Sequence, residues 1–242
     1  MEAARCAASH RTRTRHTTPF QPDMIGPVEI LQDARHYLEL AAVFCAALSG
    51  GLAAVRKSYD VFSVLLLAWV TGLGGGIIRD VLIGATPPVG ITSWDLVLTS
   101  LLGGLVIQFF HPRLEQMRRA ITVLDAGALA MFVVVGVDKA LDHGVGPLAA
   151  VFVGLITGIG GGLVRDLLVG EPPIVLRERE LYAIPATFGA VVTVVLAELG
   201  VLGYATGGAV VVGIFVVRLV SLRMRWRAPG PWQGFGRRRL GT

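Results

Sequence analysis

The chain has 242 residues, of which 53% are hydrophobic and 16% charged, and a mean hydropathy of +0.66. This exceeds what the core of a soluble domain of this size requires, so lipid is the solvent for much of the surface. The net charge of +5 does not point to nucleic acid, because most Lys and Arg lie in short segments between apolar runs, and the two cysteines, Cys6 and Cys45, make neither a disulfide framework nor a metal-ligand spacing.

In chain order, residues 1–34 form a polar stretch that includes RTRTRHTT and has no apolar run of signal-peptide length; a disordered tail is expected, with Met24 as an alternative start to Met1. Seven apolar runs follow, at about 37–55, 59–84, 93–111, 121–141, 146–170, 181–200 and 203–220. Runs of roughly 17–25 residues cross a hydrocarbon core about 30 Å thick. Unpaired backbone groups in lipid cost several kcal/mol each, and runs such as VLLLAWV lack the alternation of barrel strands, so each run is predicted to be a helix.

Seven crossings place the two ends of the chain on opposite sides. One side then carries Arg5, Arg11, Arg13, Arg15, Arg35 and Lys139, four of them in the distant tail. The other carries Arg56, Lys57, Arg113, Arg118, Arg119, Arg177, Arg179 and a basic cluster from Arg218 to Arg239. The positive-inside rule puts the C-terminus in the cytoplasm and the N-terminus outside. The final segment, RMRWRAPGPWQGFGRRRLGT, suits an anionic leaflet or a plain solvated tail.

The most specific feature is an internal repeat. Thr71 to Gly84 reads TGLGGGIIRDVLIG and Thr157 to Gly170 reads TGIGGGLVRDLLVG, an offset of 86 with nine of fourteen residues identical and five aliphatic exchanges. The same offset carries Glu39 onto Asp125, Gly50 onto Gly136 and Pro87 onto Pro173. Because three helices per copy is an odd number, the second copy enters from the opposite face. The expected fold is therefore an all-α membrane protein of seven transmembrane helices, two inverted three-helix repeats plus a seventh helix. Its expected divisions are a tail at 1–34, repeats at 35–115 and 116–200, the seventh helix at 201–222 and a basic tail at 223–242.

The second run spans about 26 residues, or roughly 39 Å as a helix, longer than the hydrocarbon core. A helix that long must tilt or break, and the triplet Gly74, Gly75, Gly76 is where a break costs least; Gly160, Gly161 and Gly162 repeat it in the fifth run. Unwound backbone at mid-membrane is where transport proteins bind ions or substrates. The competing reading is that these glycines, with Gly72 and Gly158, make small-xxx-small surfaces on which unbroken helices pack closely.

Arg79, Asp80, Arg165 and Asp166 lie inside the ends of these runs, where a charge must pair or reach water. Depth matching predicts two related ion pairs, Glu39 with Arg79 and Asp125 with Arg165; snorkelling of each Arg to the interface is the alternative. GLGGGI and GIGGGL are not dinucleotide fingerprints, because Ile77 and Leu163 replace the last glycine. His10, His16, His36, His111 and His143 have no ligand spacing, and no Ser/His/Asp or Cys/His set can be assembled on one side. No metal, cofactor or enzymatic activity is expected.

The doubled segments GLGGGIIRDVLIG and GIGGGLVRDLLVG, each followed by a Pro-containing loop (ATPPVG and EPPIVL), resemble the prokaryotic branch of the trimeric intracellular cation channel family, whose members are also labelled glycine-transporter-like. The resemblance covers about 35–220. It implies a homotrimer in the inner membrane of a prokaryote, with a pore through each protomer for monovalent cations, chiefly potassium. It also implies that Gly74, Gly75, Gly76, Gly160, Gly161 and Gly162 line the pore, with Arg79, Asp80, Arg165 and Asp166 beside it. Glu39 stands where the family pattern suggests aspartate, and Ala46 where its repeat mate Phe132 suggests an aromatic. The sequence reading is a cation channel gated at the glycine-broken second and fifth helices, with a carrier of a small zwitterion such as glycine as the alternative.

Overall fold

The computed structural model describes residues 27–114, 118–177 and 183–224. The expectations for residues 1–26 of the N-terminal tail, for Arg179 and for the basic segment after 224 lie outside these residues, while 27–34, expected in the tail, are helical. Among the described residues there are nine helices and no strand: α1 (Pro27–Arg56), α2 (Val61–Leu82), α3 (Val89–Thr92), α4 (Trp94–Leu114), α5 (Arg118–Asp142), α6 (Pro147–Leu168), α7 (Ile174–Arg177), α8 (Ala183–Glu198) and α9 (Tyr204–Met224). The seven longer helices fall on the seven apolar runs, and α3 and α7 are single turns. Four segments, Arg35–Arg56, Val61–Leu82, Pro147–Leu168 and Tyr204–Met224, are long and apolar enough to cross a membrane; α4 and α8 carry shorter apolar stretches.

Local chemistry sets the ends of the two motif helices. The Asp60 side chain accepts the Ser63 amide at 2.8 Å and starts α2, while Pro147 starts α6 at a position whose amide needs no partner. At the other ends Gly84 (φ 73°) and Gly170 (φ 68°) take the left-handed conformation that closes a helix. The Ala85 amide then bonds the Asp80 carbonyl at 2.8 Å, and the Glu171 amide bonds the Asp166 carbonyl at 2.9 Å. The glycine ending each repeated segment is thus a helix stop.

These stops overturn the expected breaks at Gly74, Gly75, Gly76 and at Gly160, Gly161, Gly162, because α2 and α6 run through both triplets as continuous helices of 22 residues each. At 1.5 Å per residue each is about 33 Å long, which matches the hydrocarbon core, so the excess length that argued for a break does not exist. The close-packing reading holds instead. A Cβ on Gly75 would lie 2.1 Å from the Thr157 carbonyl oxygen, and one on Gly161 would lie 2.2 Å from the Thr71 carbonyl oxygen. At this crossing α2 and α6 touch backbone to backbone, which only glycine permits.

The same device joins each motif helix to its predecessor. Gly72 of α2 faces the Val43 carbonyl of α1, with a Cβ there at 3.2 Å, and Gly158 of α6 faces Leu129 and Val133 of α5 at 2.9 Å. Around this centre α1 packs on α2, α4 and α5, and α5 packs on α6, α8 and α9. The interior is built from small and aliphatic residues such as Ala42, Val43, Ala130 and Val133, while Phe62, Trp94, Phe109, Leu148 and Phe188 point outward and are exposed. Large apolar side chains outside and small residues at helix contacts are what a lipid solvent selects.

Gly75→Ala and Gly161→Ala should each force the helices apart and destabilise the fold by about 1–3 kcal/mol or more, the usual range for overpacking. Gly208→Ala, where an added Cβ meets nothing within 4 Å, should not destabilise and should gain up to about 1 kcal/mol of helix propensity. Thermal denaturation of the three variants in detergent checks this ranking.

Candidate functional site

Arg79 and Arg165 are among the largest fully buried side chains in the protein, at 0% and 2% exposure, and they lie at corresponding positions of α2 and α6. A guanidinium keeps its charge at any accessible pH, so burial obliges the fold to surround it with acceptors. Two clusters do so.

In the first, Arg79 Nη2 lies 3.1 Å from Glu39 Oε1 of α1 and Arg79 Nε lies 2.8 Å from Asp80 Oδ1. Lys139 Nζ of α5 lies 2.9 Å from the same Asp80 oxygen. In the second, Arg165 Nη1 lies 3.0 Å from Asp125 Oδ1 of α5, Arg165 Nε lies 2.8 Å from Asp166 Oδ1, and Nη1 also donates to the Ser49 hydroxyl of α1. Both ion pairs expected from the sequence form, and the depth of burial excludes snorkelling. The structure therefore brings Glu39, Arg79 and Asp80 together at one end of the bundle and Asp125, Arg165 and Asp166 together at the other.

Each aspartate has a second task. Asp80 Oδ2 accepts the Val89 amide at 2.9 Å, and Asp166 Oδ2 accepts the Ile174 amide at 2.8 Å. The Pro-containing loop after each motif helix is thereby folded back, with α3 or α7 held against the helix it follows. The Arg-Asp pair couples a buried cation to the closure of one end of the bundle.

Sequence reasoning missed two members of these clusters. Lys139 counted only toward orientation, although a lysine within an apolar run needs a partner and that alone could have marked it. Ser49 carries no such signal, since its repeat mate is Val135. Both cross between the two halves of the chain: Lys139 belongs to the second half and serves Asp80 of the first, and Ser49 does the reverse. The clusters are consequently unequal. Arg165 Nη1 has two acceptors, whereas Arg79 Nη1 is buried without a hydrogen-bond partner among the described residues.

The glycine triplets lie between the clusters, where α2 and α6 are in contact. Gly160 and Gly75 pack directly on each other, and a Cβ on Gly160 would come within 3.3 Å of Gly75 Cα. A cavity of about 10 Å³ lined by Gly162, Arg165, Asp166 and Ile174 is at the lower limit for a single water. The described residues form no cluster of three His, Cys, Asp or Glu side chains able to hold a metal ion.

An apolar helical bundle with fully buried, paired charges at both ends of a glycine-lined helix crossing is an integral membrane protein. Comparison with known proteins narrows the class. The sequence model of a family described as glycine transporter matches twice, at residues 36–112 and 122–198, separated by the same 86 residues as the motif repeat. A UPF0126 membrane protein of Deinococcus radiodurans is 40% identical over 200 residues, covering 82% of this chain and 93% of that protein. The UPF0126 inner membrane protein YadS of Escherichia coli is 39% identical over 158 residues, covering 65% of this chain and 76% of its own length. Among solved structures, the TRIC trimeric intracellular cation channel orthologue from Rhodobacter sphaeroides superposes with a TM-score of 0.77 at 35% identity, covering 81% of this chain and 100% of that one. A second structure, described as a TRIC cation channel, gives a TM-score of 0.74 at 29% identity over 83% of this chain and 98% of its own. The chain belongs to the prokaryotic branch of the trimeric intracellular cation channel family, whose members also carry the glycine transporter description. These relatives are described as membrane proteins and cation channels.

Removing one partner from a buried pair costs about 3–5 kcal/mol when it strands the other charge. Arg165→Met removes the guanidinium that Asp125 and Asp166 share and should abolish a monodisperse folded species. Glu39→Gln should be milder, because Glu39 retains 17% side-chain exposure and Arg79 keeps Asp80. Size-exclusion profiles and melting temperatures should rank the variants in that order.

Proposed function

We propose that this protein is a monovalent cation channel, potassium-preferring, with a pathway through each protomer of a homotrimer. The observation that carries the reading is the pair of buried charge clusters flanking the α2–α6 glycine contact, in a chain that superposes along most of its length on TRIC cation channels. The pathway follows α1, α2, α5 and α6, along Gly74, Gly75, Gly76, Gly160, Gly161 and Gly162. Three-helix units at 35–115 and 116–200 enter the membrane from opposite faces, with α9 as the added seventh crossing. The N-terminus lies outside and the C-terminus in the cytoplasm, the side richer in Lys and Arg.

Since both motif helices are continuous, gating separates two packed helices and does not flex a preformed break. Parting α2 from α6 exposes glycine backbone and hydrates the clusters, which supply the polar lining. Both clusters carry two carboxylates, and carboxylates beside a hydrated pathway favour cations; in the second these are Asp125 and Asp166. In the first, Glu39 and Asp80 are balanced by Arg79 and Lys139.

The alternative, a carrier of a small zwitterion such as glycine, draws on the family's glycine transporter description. Purified protein in liposomes with a potassium gradient should give fast, voltage-driven flux. Slow, saturable uptake of labelled glycine without unitary currents would establish the carrier instead. Asp125→Asn should lower the potassium-to-chloride permeability ratio and Lys139→Met should raise cation conductance, both read from reversal potentials under asymmetric salt.

A further inference from the structure

Away from these clusters, a cleft of about 220 Å³ opens between α1, α5 and the start of α9, walled by Leu38, Val134, Val135 and Leu202 and floored by Gly203, Gly207 and Gly208. At Gly75 and Gly161 a glycine marks a point where another element presses in, whereas here, as at Gly213 further along α9, it does not. A Cβ on Gly203 or Gly208 would meet nothing within 4 Å, and one on Gly207 only Val134 and Leu202 at 3.8 and 3.9 Å. Glycine weakens a helix relative to alanine, and at these positions it gains no packing in return, only open space. Apolar cavities of about 150 Å³ already admit a molecule such as benzene, so this cleft has room for an organic group.

Its polar groups gather at one end. Arg35 and Asp138 line the cleft and pair at 2.6 Å (Nε to Oδ2), and Arg35 Nη1 also pairs with Asp142, which stands beside the cleft rather than in its lining. Arg35 and Tyr204 stand at the starts of the apolar runs at about 37–55 and 203–220, which puts this end at the depth of lipid headgroups. The side chains of Arg35 and Asp142 are 42% and 53% exposed, so their mutual attraction is screened and readily exchanged for another partner. One guanidinium and two carboxylates can together receive a ligand with one anionic oxygen group and one ammonium.

We propose that this cleft is a binding site for a phospholipid whose headgroup carries both a phosphate and a primary ammonium, of the phosphatidylethanolamine type. Arg35 takes the phosphate, since guanidinium and phosphate match in geometry. Asp138 and Asp142 take the ammonium, whose three N–H donors a trimethylated headgroup lacks. The start of an acyl chain lies over Gly207 and Gly208 against Val134 and Leu202. The proposal stands on this cleft alone and does not depend on what the protein conducts.

The test uses the full chain, purified in detergent and offered equimolar phosphatidylethanolamine, phosphatidylcholine and phosphatidylglycerol of identical acyl chains, with retained lipid read by native mass spectrometry. The expected result is preferential retention of phosphatidylethanolamine. It should fall roughly tenfold in Gly207→Leu, which fills the cleft, and the preference over phosphatidylglycerol should vanish in Asp138→Asn. Gly208→Val is the second filling variant should Gly207→Leu fail to fold, and Val212→Leu, on an exposed part of α9 outside the cleft, should match the unmodified chain. Equal retention of the three lipids, or a preference for phosphatidylglycerol, overturns the proposal. So does wild-type retention in folded filling variants. A change of oligomeric mass in those variants without any change in bound lipid assigns the cleft to a second copy of the chain and equally overturns it.

Discussion

The contact between α2 and α6 at Gly75 and Gly161 is the constraint on which the rest of the structure depends. Two helices can bring their backbones together only where neither carries a side chain, and in lipid this closeness is what supplies dispersion energy, since burying an apolar group gains nothing over leaving it among acyl chains. The crossing carries Arg79 and Arg165 toward opposite ends of the bundle, each about one turn beyond its glycine triplet. Once there, neither guanidinium reaches water, so the neighbouring helices must provide carboxylates. Glu39, Asp80, Asp125 and Asp166 are the consequence of that geometry.

A packed interface of this kind is either closed or parted, because a small separation forfeits contact energy without admitting water. The Arg-Asp pairs connect that choice to the ends of the bundle, since each aspartate also holds the loop that follows its helix through the Val89 or Ile174 amide. Moving a guanidinium therefore disturbs an ion pair, a loop anchor and the helix crossing together. The two arginines are unequally satisfied: Arg79 Nη1 has no acceptor among the described residues, whereas Arg165 Nη1 is also held by Ser49.

Both ion pairs were legible in the sequence because a charge inside an apolar run has few permissible environments, and an offset of 86 told which acid belongs to which base. The expected breaks failed on a matter of one or two residues at each helix end. Counting the apolar run from 59 to 84 made the second helix too long for the bilayer, but Asp60 and Gly84 cut it to 22 residues and removed the need for a break. Glycine is ambiguous in this respect, since a residue without a side chain lowers the cost of unwinding and the distance of closest approach alike. Only the identity of what lies opposite, here another glycine backbone, distinguishes the two.

By itself the sequence determined the helical class, the number and order of the long helices, the duplication and the residues that had to be paired, because lipid forbids unpaired backbone and isolated charge wherever they occur along a chain. It did not determine that the glycines join α2 to α6, that Lys139 and Ser49 complete the clusters across the two halves, or that a cleft opens beside Arg35. Those are contacts between segments with no shared pattern and separations of up to about 170 residues along the chain. Such contacts follow from which helix faces which, a property of the packed bundle that no local run of residues encodes.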